Sequence, residues 1–178
     1  MRLFIGIGVS PEAREALAAA VEPLRPRVEA RWVPAELYHV TLAFLGERDK
    51  HALPALEALL RETAAAAASF PLTVAELGHF GRPENAILYA APAACPALPA
   101  LSAALRTRLA EAGEAFDPKP FTPHITLARK ARLPEGFTLP ALTPVPFPAD
   151  AVTLYHSTRI DGRLRYLPVC RAALRTQG

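Results

Sequence analysis

Apolar residues fill Leu3 to Ile7 almost without a break, and Gly8 and Ser10-Pro11 close the run. A short block of this kind marks a buried strand, predicted over residues 2–9. Ser10-Pro11-Glu12 supplies a capping hydroxyl, a proline at the first helical position and an acid in the first turn. A helix is therefore predicted from there to about residue 28. Strands follow over 30–33 and 38–45, then an Ala-rich helix over 51–68 with Asp49 as its cap. Residues 72–79 and 85–90 read as two strands joined by a turn at 81–85. Leu98, Leu101, Leu105 and Leu109 recur at helical spacing, which predicts a helix over 96–112 that Gly113 stops. A strand is predicted over 123–129. The five prolines from Pro134 to Pro148 are poor helix material and predict a connection crossing between lobes. Two closing strands, 150–157 and 164–174, flank a turn at Asp161-Gly162. Helices mixed with strands that are neighbours in sequence give an α+β class with largely antiparallel sheets.

One stretch returns. Tyr38-His39-Val40-Thr41-Leu42-Ala43 is echoed 85 positions on (39 to 124) by Pro123-His124-Ile125-Thr126-Leu127-Ala128. That spacing is about half of the 178 residues, as duplication into two related lobes would leave it. Side chains alternate along a strand, so His39 and Thr41 share one face, and Val40, Leu42 and Phe44 the other. His124 and Thr126 are likewise set opposite Ile125 and Leu127. The aliphatic face can pack on helices. A strand buried on both faces does not usually carry two polar residues on one of them.

If the two strands face one another, two imidazoles and two hydroxyls converge. Histidine titrates near neutrality, so one ring can accept a proton while the other donates one. Threonine hydroxyls can donate to the non-bridging oxygens of a phosphodiester as charge builds there. A single His-x-Thr is a weak signal; two in matched apolar contexts at half-chain spacing are much harder to obtain by accident. Glu47 and Asp49 stand alone after the first motif, so no carboxylate cluster offers a metal site, and no cofactor is expected.

Composition narrows this little. The net charge is +3 and the pI about 9.1, with arginine supplying most of the positive charge. Guanidinium suits phosphate, but a merely soluble surface has the same balance. Cys95 and Cys170 form no CxxC or metal-ligand spacing, so both read as inert thiols. No signal peptide or membrane-length apolar run is found, and the expectation is a cytoplasmic monomer.

The paired motifs resemble the two-histidine (2H) phosphoesterase superfamily. The branch they most resemble is the bacterial and archaeal RNA 2′,3′-cyclic phosphodiesterases, also called 2′-5′ RNA ligases. Arg2-Leu3-Phe4-Ile5-Gly6-Ile7, Arg31-Trp32-Val33-Pro34, residues 39–46 and residues 121–129 carry the likeness, which covers nearly the whole chain. The resemblance implies one bilobal domain over residues 1–178, its two sheets flanked by helices around a central cleft. It implies metal-free opening of an RNA terminal 2′,3′-cyclic phosphate to a 2′-phosphate. His39 would be the general acid for the departing 3′-oxygen and His124 the base that activates water. With a ribose 5′-hydroxyl in place of water, the same chemistry would join a cyclic end to it as a 2′-5′ linkage. The other readings are a small cyclic-nucleotide phosphodiesterase, of the ADP-ribose cyclic phosphate type, and a non-catalytic RNA-end binder.

Arg129 resembles a family arginine near the phosphate, although strict alternation sets it with Ile125 and Leu127. Phe80 is a candidate for stacking on a base. His51 reads as surface, His79 as part of a tight bend, and Trp32 as core. Tyr155-His156-Ser157 could line the groove, and Arg159, Arg163, Arg165 and Arg171 could form a basic rim.

Overall fold

The computed structural model describes residues 1–178. Nine strands and three α-helices form two antiparallel sheets. The first sheet contains β1 (Arg2–Gly8), β3 (His39–Glu47), β8 (Ala151–Ile160) and β9 (Arg163–Ala173), in the order β3-β1-β8-β9. The second contains β2 (Glu29–Trp32), β4 (Phe70–Phe80), β5 (Ala86–Pro92), β6 (Ile125–Arg132) and β7 (Val145–Ala149), in the order β2-β6-β5-β4-β7. The echo survives in three dimensions. β3 pairs with β1 as β6 pairs with β5, and both pairs are then flanked, by β8 and β4 respectively.

The helices cross between the halves. α1 (Pro11–Val21) follows β1 but packs against β7 of the other sheet. α3 (Ala97–Glu111) follows β5 but packs against β3, beside α2 (Leu53–Ala66), which also covers β8 and β9. Their buried stripes are those of the sequence pattern: Ala13, Leu17 and Val21 on α1, and Leu98, Leu101, Leu105 and Leu109 on α3. One cluster of 40 buried residues runs across both sheets. No helix is long and apolar enough to cross a membrane.

Three expectations are corrected. α1 ends at Val21, not near residue 28, because Pro23 and Pro26 cannot extend it; Glu22–Leu24 continue only as a 3-10 turn. Asp49 caps a 3-10 turn, accepting from the His51 N–H at 2.8 Å, and the α-helix proper starts at Leu53. The Pro-rich stretch is not a bare connection. Val145, Phe147 and Ala149 alternate inward along β7, with Pro146 and Pro148 outward. Because β7 pairs only with β4, at the sheet edge, the prolines' missing N–H groups fall on the open side and cost no ladder bond. The turn at Asp161-Gly162 is borne out, with positive φ at both residues (50° and 76°), as a tight hairpin requires.

Gly6 is where β1 must lie closest to β3. A Cβ there would sit 2.7 Å from the Val40 carbonyl oxygen, which is backbone and cannot swing aside. Gly6→Ala is expected to destabilise the fold by about 1–3 kcal/mol through overpacking. A lowered denaturant midpoint at unchanged m-value is the measurement that checks it.

Candidate active site

The two motif strands share an irregularity. In β3, Thr41 faces Gly6 and Ala43 faces Ile5, which leaves Leu42 as an extra residue. In β6, Thr126 faces Tyr89 and Ala128 faces Leu88, which leaves Leu127 extra. Each leucine is a β-bulge, and each is buried. An extra residue reverses the alternation beyond it. Phe44 and Arg129, each five positions after its histidine, therefore face the same cleft as His39, Thr41, His124 and Thr126. This corrects the sequence expectation for both: Phe44 is not on the Val40 face, and Arg129 is not turned away with Ile125.

A bulge leaves a carbonyl outside the ladder, and both are satisfied from elsewhere. The Leu127 oxygen accepts from the Val33 N–H at 2.9 Å. The Leu42 oxygen accepts from Ser102 Oγ and Arg106 Nε of α3, each at 3.1 Å. Arg106 also donates to the Lys119 carbonyl at 2.7 Å, and its guanidinium lies over the rings of Phe116 and Phe121. Residues 113–124, which lead into His124, are thus strapped to the strand that carries His39. Two more ties hold them there: the Asp117 N–H donates to the Phe44 oxygen at 2.9 Å, and Arg48 bonds Glu114 and the Ala115 carbonyl.

The imidazoles are held alike. His39 Nδ1 lies 2.7 Å from the Leu37 oxygen, and His124 Nδ1 2.7 Å from the Thr122 oxygen. A carbonyl only accepts, so each Nδ1 carries the proton and each Nε2 is left for chemistry. His39 Nε2 meets Thr41 Oγ1 at 2.9 Å. Aromatic rings fix both planes. Phe4 lies against His39 and Tyr166 meets it edge-on, with centroids 4.7 and 5.1 Å away. Phe80 meets His124 edge-on at 5.1 Å and stacks on Tyr89 at 4.3 Å. Phe80, the candidate for base stacking, thus packs against both His124 and Tyr89.

The cleft encloses about 520 Å³. Arg2, Arg129 and Arg159 line it and no carboxylate does; Ser157, Thr158 and Tyr166 add hydroxyls. No group of three potential metal-ligating side chains gathers anywhere in the chain. Burial lowers the His39 pKa to about 4, helped by the charges of His124 and Arg129, while its bond to Leu37 works the other way. Burial likewise raises the Tyr166 phenol. At neutral pH His39 is therefore neutral, with Thr41 donating to its Nε2.

The other candidates separate. His51 is exposed beside Asp49, as expected for a surface residue. His79 lies in β4 and faces a separate surface hollow with Glu84 and Arg132; the bend comes later, at Gly81. Ser157 reaches the cleft, whereas Tyr155 stacks on Phe4. Trp32 is half-buried: it packs against the core cluster and also lines a groove beside the cleft. Arg171 pairs with Asp150, outside the cleft. Sequence reasoning missed Arg2, Tyr166, Ser102 and Arg106. Arg2 alone carried a signal, since it alternates with Phe4 and Gly6 along β1.

Two bulged motifs aimed into one cationic cleft agree with the likeness of the chain to known proteins. A family model described as the 2′-5′ RNA ligase superfamily matches residues 13–161. The chain belongs to that superfamily. Within it, the RNA 2′,3′-cyclic phosphodiesterase of Escherichia coli is 34% identical over 181 residues, covering 97% of this chain and 96% of that one. The enzyme of the same name from Thermus thermophilus is 34% identical over 164 residues, covering 88% and 82%. The crystal structure of E. coli LigT complexed with 3′-AMP matches with a TM-score of 0.84 at 33% identity, over 97% of both chains. LigT complexed with phosphate matches at 0.79 and 32%, over 98% of this chain and 97% of that one.

Two outcomes follow from this superfamily site. Arg106→Ala should lower kcat by about 10²-fold with little change in KM, because it loosens geometry and removes no expected substrate contact. Added guanidinium should restore part of the rate, which a globally unfolded variant would not allow. For His39, the unfolded chain takes up its proton near 6.5 and the folded chain only near 4. Stability is thus lost as pH falls from 6.5 to 4, by about 3 kcal/mol at most. Denaturant midpoints measured across that window should slope in the wild type and flatten in His39→Asn.

Proposed function

We propose that this protein opens RNA terminal 2′,3′-cyclic phosphates to 2′-phosphomonoesters by two-histidine acid–base catalysis without a metal or other cofactor. The observation that carries the reading is the matched pair of Nδ1-anchored histidines in a cleft with three arginines and no carboxylate. Its relatives are named for this reaction, and LigT has been crystallised with 3′-AMP and with phosphate.

In the proposed mechanism the non-bridging oxygens take hydrogen bonds from Thr41, Thr126 and Arg129. His124 Nε2 accepts a proton from water as the water oxygen bonds to phosphorus. The bond from phosphorus to the 3′-oxygen breaks, and His39 Nε2 gives that oxygen its proton. The ring strain of the five-membered phosphate makes this step accessible. His39 is neutral at rest, so its acid role depends on the substrate. A phosphodiester anion brings negative charge next to a ring whose charged neighbours, His124 and Arg129, both oppose its protonation, and so raises its proton affinity. Substrate binding and loading of the acid are coupled. The same ring-opening step, with a ribose 5′-hydroxyl in place of water, would form a 2′-5′ linkage as the 3′-oxygen leaves.

The reading takes residues 1–178 as a single bilobal unit, supported by the one core that spans both sheets. It takes the protein as a cytoplasmic monomer whose partner is an RNA end.

The test is a product assay on a short RNA with a 2′,3′-cyclic phosphate, in EDTA. The wild type should yield a 2′-phosphate, and His39→Ala and His124→Ala should each lose about two to four orders of magnitude in rate. A substrate with sulfur at the 3′ bridging position separates the roles, because a thiolate leaves without a proton. It should restore His39→Ala and not His124→Ala. Loss of activity in EDTA, or release of a 3′-phosphate, would sink the proposal.

A further inference from the structure

A second groove of about 640 Å³ opens off the cleft. It shares His39, Thr126, Arg129, Arg159, Leu164 and Tyr166 with the cleft, but His124 takes no part in it. Arg31 and Trp32 at the end of β2 form one wall, and Arg163 and Arg165 of the β8–β9 hairpin form another. Lys130 completes it; a positive φ of 50° at that residue marks a second irregularity in β6, where its pairing with β2 slips by one. Glu36 is the one carboxylate in the lining, and it already pairs with Arg165 at 3.7 Å. Arg31, Lys130 and Arg163 are exposed and make no ion pair.

The position of this groove has a stereochemical meaning. In an in-line displacement, the attacking and leaving oxygens lie on opposite sides of phosphorus. Both ring oxygens of a 2′,3′-cyclic phosphate belong to one ribose. The whole nucleotide chain therefore lies on the side of the leaving oxygen, away from the attacking water. If His124 serves water, the RNA body must extend past His39, and that is where the cationic groove begins.

We infer that this groove is the track for the RNA strand 5′ to the cyclic end, with Arg31, Lys130 and Arg163 on its backbone phosphates. The inference rests on the proposed reaction and deepens it. A mononucleotide fills only the cleft, whereas an oligonucleotide gains contacts along the groove. Preference for RNA over a small cyclic nucleotide is thus built into β2, Lys130 and the β8–β9 hairpin.

The experiment compares kcat/KM for a mononucleoside 2′,3′-cyclic phosphate with that for a six-nucleotide RNA bearing the same end, at several salt concentrations. In the wild type the oligonucleotide should be preferred, and the preference should fall as salt rises. Arg31→Ala, Lys130→Ala and Arg163→Ala together should reduce the ratio by roughly tenfold or more, and each should lower the salt slope by about 0.7 per phosphate contact removed. Arg61→Ala, on the exposed face of α2, should leave the ratio as it is. Anisotropy with a fluorescent six-nucleotide RNA ending in 2′-phosphate should follow the same order, read without turnover. A wild type with no length preference, or a triple variant that keeps it, overturns the groove assignment while the reaction stands. A wild type that opens neither substrate overturns the reaction itself, and the groove assignment with it.

Discussion

One extra residue in each of two strands decides what this cleft contains. Without the bulges at Leu42 and Leu127, Phe44 would turn away from His39 and Thr41, and Arg129 would turn away from His124 and Thr126 to the buried side of Ile125. With them, each strand aims three side chains at one place. The supports are unlike in the two halves. Val33, the residue that follows β2, supplies a backbone N–H to Leu127, whereas β3 is a sheet edge and takes its support from α3 and the strap at 113–124. Arg106 therefore does in one half what a strand does in the other, and it also joins the two halves.

The electrostatics follow from that assembly. Three guanidinium groups and no carboxylate around the histidines make a site that is costly to leave empty and favourable to fill with an anion. The half-buried His39 answers this by staying neutral, with Thr41 on its free nitrogen. An arriving phosphate changes both conditions: it offers Thr41 an acceptor and gives the imidazolium a counter-charge. In the proposed mechanism the free and substrate-bound states thus differ by a proton and a hydroxyl rotation.

Much of this was legible in the sequence because it was local. His-x-Thr in an apolar strand states its own geometry, and its repetition at half-chain spacing states the two lobes. The leucine stripe of α3 and the cap at Ser10 read directly. Alternation failed at Phe44 and Arg129, because a bulge made of leucine looks like any other strand residue. β7 was missed because its prolines argue against a strand until its edge position is known. The tie from Arg106 to Leu42 spans 64 residues between a helix and a strand, and nothing in the sequence connects them. Arg2 sat in plain view at the start of β1, but its role depends on which strand lies across from it.

The most direct test of the central claim is the state of the two imidazoles, read from long-range ¹⁵N–¹H correlation spectra of the histidine side chains with and without a nucleoside 2′,3′-cyclic vanadate. In the free protein at pH 6 to 7, both rings should carry their proton on Nδ1, with His39 neutral. Vanadate should shift both Nε2 resonances together and bring a second proton to His39. An Nε2–H tautomer on either ring, or a response confined to one histidine, would contradict the account that both act on a single phosphorus.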